Sequence, residues 1–498
     1  MQFASYSYML FLALAVIVYF GLPGTRSRTA WLLASSYFFY YTLSTGWTLV
    51  LLGVTVVGYV CGRLLDRTET PHASGSDTRS RLVLWSGIVL VVGTLAVFKY
   101  ADFAIELLNG VLGTFGSPAS TPALALALPV GISFWTFQTI AYLVDIARGS
   151  LSAEKNFVRY AVFIAFFPHV AAGPIARGAQ LLPQLSAARH RFTFEAMRSG
   201  LLLMLWGFIK KTLVADPMGV FVGKVFADPR SPEYAGLVLL AAAVGFSIQI
   251  YCDFSGYTDI ARGAARLFGL ELLPNFRRPY ASRSVKEFWR RWHMSLMSWL
   301  KDYIYIPLGG SRVSRSRRYV NVLAVFAISG LWHGAGLTFI VWGLLNGLYQ
   351  VLGEITAPVR ERLWAMTRLS PDGRLRQALQ IAVTFVLITI GWVFFRAGSL
   401  SDALYIITHM LEPVLTPLTN LTGTDVGLTG PVAALTAAAA VAVLGIDYLS
   451  ARIDLPAFVY RQPVAIRWAI YQLAILAVAV CGQYGPTLKS ADFVYFKF

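Results

Sequence analysis

One histidine, His333, lies in an apolar part of the sequence, where an ionisable side chain is unusual. His333 lies in the sequence SGLWHGAG (329–336), with apolar segments on both sides. An ionisable residue at membrane depth is costly, and its default interpretation is functional. The neighbouring glycines would let backbone or substrate approach closely. An imidazole there could act as a general base or as a nucleophile, and a hydrogen-bonded core histidine is the alternative.

A second histidine, His293, lies in the aromatic and basic stretch EFWRRWHMSLMSW (287–299). The stretch is predicted to be helical, because Trp289, Trp292, His293, Leu296 and Trp299 recur at spacings of three or four residues. Two interpretations are open. The stretch is an amphipathic helix at the membrane surface, or it holds His293 near the same cavity as His333.

Polar residues also close an apolar run in YCDFSGYTDIAR (251–262). Asp253 and Tyr257 could form the wall of a polar cavity, or Asp253 could belong to ion pairs that orient a helix end. A metal site is not expected, because His293 and His333 are 40 residues apart and neither has a His, Cys or carboxylate at zinc-ligand spacing. A nucleophile elbow and a phosphate-binding Gly-rich loop are also absent from the sequence.

Basic residues are concentrated in one segment. Residues 277–318 contain eleven Lys and Arg against two acidic residues, in a chain whose net charge is +17. Such a cluster suits an acidic, phosphate-bearing donor, because arginine matches phosphate geometry. The candidate substrate- and donor-binding residues are Arg290, Arg291, Trp292, Lys301, Asp302, Trp332, Asp253 and Tyr257.

The composition places these residues in a membrane protein. The chain of 498 residues is 56% hydrophobic and 13% charged, about half the charged fraction of a soluble domain. The basic charge is therefore attributed to cytoplasmic loops and not to nucleic-acid binding. Residues 7–23 are predicted to form an uncleaved first helix. Basic loops at 24–29 and 63–81, separated by a neutral turn, predict a periplasmic N-terminus.

Further apolar segments predict an all-α polytopic protein. They lie near residues 30–43, 47–62, 83–99, 123–146, 158–172, 199–215, 234–252, 320–331, 336–352, 376–396, 430–448 and 467–483. Several are broken by Gly and Pro, which at membrane depth requires that protein or water satisfies the backbone. The middle of the chain is therefore predicted to be a buried, irregular centre and not a simple bundle.

At these residues the chain resembles the membrane-bound O-acyltransferase (MBOAT) family, and in particular its bacterial alginate O-acetyltransferase (AlgI-like) branch. The resemblance runs nearly end to end. It rests on LPVGISFWTFQTIAYLVDIARG (128–149), FFPHVAAGPIARGAQLLPQL (166–185), YCDFSGYTDIARGAARLFG (251–269), NFRRPYASRSVKEFWRRWHMSLMSWLKDYIYIPLGGSR (275–312), SGLWHGAGLTFIVWGLLNGLY (329–349) and the closing FVYFKF (493–498).

The resemblance implies a fold and two site residues. The implied fold is a ring of helices around a thin centre, with short broken or re-entrant helices and a tunnel. His333 matches the family's catalytic histidine, and His293 matches a second histidine that is important for activity. The implied single domain, 1–498, has N-terminal helices in 1–120, a catalytic core in 121–352 and C-terminal helices in 353–498.

The resemblance also implies a reaction. A membrane O-acetyltransferase in a bacterial inner membrane would take acetyl from a cytoplasmic donor, acetyl-CoA, without a bound cofactor. The acceptor would be an exopolysaccharide such as alginate, reached through a periplasmic partner of the SGNH-like acetyltransferase type. Membrane lipid surrounds such a protein, and nucleic acid is not an expected partner.

Three alternatives remain open at this point. The chain could transfer D-alanyl or another acyl group to a cell-wall polymer such as teichoic acid or peptidoglycan. It could be a non-enzymatic transporter of polysaccharide, which would explain broken helices but would not need His333. It could also be a scaffold that only recruits the periplasmic enzyme.

Overall fold

The computed structural model describes residues 1, 3–66, 77–115, 121–186, 191–234, 236–367, 369–412 and 427–482. These residues fold into α-helices joined by short turns, with two π-helical segments and no β-strand in the described ranges. The predicted all-α class is therefore confirmed. The aromatic C-terminus, 493–498, lies outside the described residues.

The Cα positions divide the chain into two compact units. The first comprises Met1–Met204 and Thr258–Leu273, and the second comprises Leu205–Tyr257 and Pro274–Phe498. The predicted subdivision at residues 120 and 352 is not tested by this division and stays a prediction.

In its described residues, the first unit contains seven complete helices and most of an eighth, which continues into the second unit. These are α1 (Tyr6–Gly21), α2 (Gly24–Leu43), α3 (Thr48–Leu65), α4 (Asp77–Thr114), α5 (Ile132–Ala147), α6 (Phe157–Ala165) and α7 (Gly178–Ser186), followed by most of α8 (Phe194–Phe208). Helix α4 is 38 residues long. Near its C-terminal end, the carboxylate of Asp102 accepts hydrogen bonds from the backbone N–H groups of Leu124 (2.7 Å) and Ala125 (3.1 Å).

The middle of the first unit is irregular and buried, as the Gly and Pro breaks predict. Helix α5 starts only after Gly131, whose φ is +74° and whose position leaves no room for a Cβ beside the Val170 carbonyl oxygen. Helix α6 ends at Ala165, and residues 166–176 then run without regular helix while remaining buried. Chain of this kind is tolerated at membrane depth because surrounding protein satisfies it.

The second unit holds the remaining helices. It begins with a π-helix (Ile209–Ala215) and continues with α9 (Asp216–Ala227), α10 (Gly236–Leu267), α11 (Val285–Arg291), α12 (Met294–Leu300), a second π-helix (Lys301–Tyr305), α13 (Arg315–His333), α14 (Leu337–Ile355), α15 (Ala357–Met366), α16 (Arg374–Arg396), α17 (Leu400–His409), α18 (Gly430–Leu449), α19 (Leu455–Tyr460) and α20 (Val464–Cys481).

Six helices in the described ranges are long and apolar enough to cross a membrane. They span Thr45–Leu65, Thr78–Thr114, Gly236–Leu267, Arg374–Arg396, Gly430–Leu449 and Val464–Cys481. The helix Gly236–Leu267 is the most enclosed of them, with 72% of its apolar window buried, whereas no residue of the Val464–Cys481 window is buried. The exposed apolar side chains of Val464–Cys481 are consequently suited to contact with lipid.

Candidate functional site

Glycines set the position of His333 by letting two helices meet backbone to backbone. A Cβ at Gly330 of α13 would lie 2.3 Å from the carbonyl oxygen of Phe339, and one at Gly343 of α14 would lie 2.3 Å from that of Phe326. Small residues permit this close approach of helices. His333 is the last residue of α13, and Gly334 follows as its C-cap.

Aromatic rings surround His333. The side chain is 4% exposed, and its ring centroid lies 4.8 Å from that of Trp332, 5.0 Å from that of Trp342 and 5.3 Å from that of Phe395. Trp342 in turn stacks on Trp392 at 5.7 Å. The imidazole is therefore buried mainly among aromatic rings, and in such surroundings of low dielectric constant an electrostatic interaction with a reacting group would be strong.

The structure corrects the prediction of one continuous helix over 287–299. Helix α11 ends at Arg291 and α12 starts at Met294, and His293 between them has φ 45° and ψ 51°. This left-handed conformation is uncommon for a residue with a side chain, and such strain concentrates at functional sites. The interpretation as an amphipathic helix at the membrane surface fails too, because Trp289 and Trp292 are 3% and 1% exposed.

The break directs His293 toward the other histidine. The ring centroids of His293 and His333 are 6.3 Å apart, and Trp332 lies 5.8 Å from His293. Phe254 of α10 packs edge-on against His293 at 4.6 Å. The two histidines that the sequence placed 40 residues apart therefore share one enclosure, together with Trp332.

Burial fixes the protonation state of His293. The residue lies between α11 and α12, outside the candidate membrane-spanning helices, and is 0% exposed. Desolvation lowers its pKa from the usual 6.5 to about 3. The ring is consequently neutral at physiological pH, so that one nitrogen can accept a proton while the other carries one.

The predicted donor-binding residues occupy different surroundings. Arg290 and Lys301 are exposed. Arg291 is bound within the protein: its guanidinium lies 2.5 Å from the Glu287 carboxylate and donates to the carbonyl oxygen of Arg278 at 3.4 Å. Of the pair Arg290 and Arg291, only Arg290 therefore has its charge directed outward.

Three other predicted residues are buried or half-buried. Trp292 is buried against Trp392, with 5.0 Å between ring centroids. Asp302 is half-buried in the second π-helix, and Tyr257 is buried in α10.

Asp253 belongs to an ion cluster whose other members sequence reasoning missed. The Lys211 ammonium lies 2.7 Å from the Asp253 carboxylate and 2.8 Å from that of Asp216. Lys211 is in the first π-helix, and Asp216 begins α9. The ion-pair interpretation of Asp253 therefore fits the structure. Two adjacent lysines within the apolar run 199–215 were the available signal.

In the described ranges, no three His, Cys, Asp or Glu side chains lie together as they would to hold a metal ion. The contacts described above bring two imidazoles and several aromatic rings together, and an imidazole is a group that can transfer a proton or carry an acyl group.

A family model described as "MBOAT, membrane-bound O-acyltransferase family" matches residues 32–397. The chain is 36% identical over 437 residues to the "Probable alginate O-acetylase AlgI" of Pseudomonas aeruginosa, covering 85% of this chain and 78% of the relative. It is 33% identical over 407 residues to the "Peptidoglycan O-acetyltransferase" of Helicobacter pylori, covering 76% and 73%.

A more distant relative is the "Teichoic acid D-alanyltransferase" of Bacillus subtilis. It is 25% identical over 274 residues, which cover 53% of this chain and 68% of the relative. The names of these three relatives refer to different acyl groups, and the two of the three that are more than 30% identical to this chain are both named for acetylation.

Proposed function

Since this chain belongs to the membrane-bound O-acyltransferase family and is a multi-pass membrane acyltransferase, we propose that it takes an acetyl group from cytoplasmic acetyl-CoA. The protein passes this group outward, where it is used for O-acetylation of an exopolysaccharide of the alginate type. The observation that carries the proposal is the pair of buried histidines, His293 and His333, with ring centroids 6.3 Å apart. The similarity to alginate O-acetylases supports the choice of acyl group and acceptor.

The proposed chemistry uses the imidazole of His333 at the acyl carbon. As a general base, it takes the proton from an acceptor hydroxyl while the hydroxyl oxygen bonds to the acetyl carbonyl carbon. The bond from that carbon to the CoA sulfur then breaks, and the imidazolium returns the proton to the departing thiolate. In the second form of the proposal, a nitrogen of His333 bonds to the acetyl carbonyl carbon while the bond to the CoA sulfur breaks and the thiolate leaves. The oxygen of the acceptor hydroxyl then bonds to the acetyl carbon as the carbon–nitrogen bond breaks, and the hydroxyl proton passes through the ring to the thiolate. Both forms need a neutral ring.

The surroundings of the site follow from the same proposal. The protein lies in a bacterial inner membrane with its N-terminus in the periplasm, as the basic loops at 24–29 and 63–81 support. The exposed basic residues of 277–318 then face the cytoplasm and meet the phosphates of acetyl-CoA. A periplasmic acetyltransferase of the SGNH-like type receives the acetyl group and delivers it to the sugar hydroxyl.

The direct test is acetyl transfer by the purified protein in detergent. We expect radiolabelled acetyl-CoA to be turned over, and the label to reach alginate oligosaccharide when the periplasmic partner is present. Parallel reactions should offer peptidoglycan fragments as acceptor and a D-alanyl carrier protein as donor. Turnover with the D-alanyl carrier alone would contradict the proposal in favour of cell-wall alanylation. No turnover with any donor in detergent, together with polysaccharide transport by the protein in liposomes, would favour a transporter.

Reversing the charge of Arg290 should weaken donor binding. The exposed guanidinium of Arg290 is one of the cations proposed to meet the donor phosphates. A charge-assisted hydrogen bond contributes about 1.5–3 kcal/mol, so we expect Arg290→Glu to raise the KM for acetyl-CoA by roughly tenfold or more, and the effect to shrink at high salt.

The matched control for this variant is Arg461→Glu, an exposed arginine outside the basic segment. Its KM should equal that of the wild type. Arg291→Glu is a poorer probe, because a glutamate there would face Glu287 and disturb the local fold. Equal KM values for Arg290→Glu and Arg461→Glu would count against donor binding at the basic segment.

A further inference from the structure

We propose that Asn275 is the positioning residue of His293: it caps helix α12 from a neighbouring segment, so that the imidazole at the N-cap position can face His333. The inference rests on the proposed function, because it concerns how one of the two candidate catalytic histidines is held. It concerns a residue whose side chain is fully buried, at 0% exposure.

The start of a helix leaves backbone N–H groups that need acceptors, and the N-cap side chain usually supplies one. In α12 the N-cap is His293, and its side chain makes no capping hydrogen bond. Asn275 supplies acceptors instead. Its carbonyl oxygen accepts from the N–H of Met294 at 2.9 Å, and its side-chain Oδ1 accepts from the N–H of Ser295 at 3.2 Å.

The segment around Asn275 holds the chain on both sides of the break. The backbone N–H of Arg277 donates to the carbonyl oxygen of Arg291 at 2.9 Å, on the side before His293. Between these bonds, the Phe276 ring lies 5.0 Å from Trp292 and 5.0 Å from Phe254, the residue that packs against His293. Residues 275–277 thus fix the turn by hydrogen bonds at its two ends and by ring packing in the middle.

This arrangement explains how His293 retains its left-handed backbone. A non-glycine residue in that conformation costs about 1–3 kcal/mol and persists only where surrounding structure determines it. Without the Oδ1 acceptor of Asn275, the N–H of Ser295 would need another partner in a buried region. A more helical or a self-capped backbone at His293 would provide one, and both would turn the imidazole away from His333.

The test compares Asn275→Ala with Asn275→Asp and with Asn156→Ala. Asn156 caps α6 by accepting a hydrogen bond from the Arg159 N–H, so its loss removes the same kind of hydrogen bond elsewhere.

We expect Asn275→Ala to lower kcat for acetyl transfer by about 10- to 100-fold, since displacement of a reacting group by about 1 Å can lower a rate 10²-fold. The KM for acetyl-CoA should change less than about twofold, because uniform binding is retained. Asn275→Asp retains the acceptor oxygen but places a carboxylate at a fully buried position, so it should recover part of kcat relative to Asn275→Ala.

A second measurement does not depend on acetyl transfer. The rate at which diethyl pyrocarbonate modifies His293, followed by peptide mass spectrometry, should be slow in the wild type and in Asn156→Ala and faster in Asn275→Ala. The same modification rate at His293 in all three proteins would overturn the inference, as would a kcat in Asn275→Ala equal to that in Asn156→Ala. An inactive wild type would refute the proposed function instead, and the modification rates would still decide the role of Asn275.

Discussion

Replacing His333 with alanine is expected to abolish measurable acetyl transfer. A positioned general acid–base group contributes about 10²–10⁴-fold to a rate, and loss of a covalent carrier would cost at least as much. The fold should tolerate the change better than the reaction does, because the helix contact at Gly330 and Gly343 lies outside the side chain that is removed. The measurement is the initial rate of label transfer from acetyl-CoA by the purified variant.

His409→Ala is the control for this variant. His409 ends α17, is partly exposed, and stacks on Tyr405 at 3.8 Å between ring centroids. It should retain the wild-type rate. Transfer by His333→Ala at a rate near that of His409→Ala would remove His333 from the reaction. Normal complex formation with full activity would instead support a scaffold.

Of the proposed variants, Lys211→Met should show the largest decrease in the free energy of unfolding. The change would leave the carboxylates of Asp216 and Asp253 buried near one another, with side chains only 3% and 2% exposed and without the ammonium that now lies within 2.8 Å of each. Breaking a buried ion cluster by removing one partner costs about 3–5 kcal/mol. We expect the midpoint of the unfolding transition of Lys211→Met, measured in mixed micelles, to lie well below that of the wild type.

Two further variants show whether charge is the cause. Lys286→Met removes an exposed lysine and should leave the midpoint unchanged. The triple change Lys211→Met, Asp216→Asn and Asp253→Asn removes all three charges and should recover part of the loss, because neutral groups have a much smaller desolvation penalty than carboxylates. If Lys211→Met is as stable as the wild type, water or another cation already compensates the charges of the two carboxylates.

The sequence predicted the fold class and the two histidines because their signals are local. Long apolar runs indicate helices directly. His333, between Gly330 and Gly334 in an apolar region, is an unusual ionisable residue and is therefore easily noticed. The break after Gly334 and the irregular centre also followed from Gly and Pro. The resemblance pointed to both residues, whereas periodicity could not show that the rings of His293 and His333, which are 40 positions apart in the sequence, lie close together.

The remaining features depend on contacts between distant segments. The spacing of Trp289, Trp292 and Trp299 fits one helix well, and nothing in it indicates that residues after the break at His293 donate hydrogen bonds to Asn275. The pairing of Lys211 with Asp253 joins residues 42 positions apart. By contrast, the different surroundings of Arg290 and Arg291 follow from the pairing of Glu287 with Arg291 four residues later, a spacing that the sequence does contain.

The length of α4 has a consequence for the bilayer around the protein. At about 1.5 Å per residue, its 38 residues extend roughly 57 Å, against a hydrocarbon core of about 30 Å. Tilting alone cannot absorb the difference, because that would need an inclination near 60°, beyond the range of about 0–40° seen for spanning helices. Part of α4 must therefore stand clear of the acyl chains. The end that carries Asp102 and its hydrogen bonds to Leu124 and Ala125 is suited to water or lipid headgroups, so a thicker membrane would bring this carboxylate against the acyl chains.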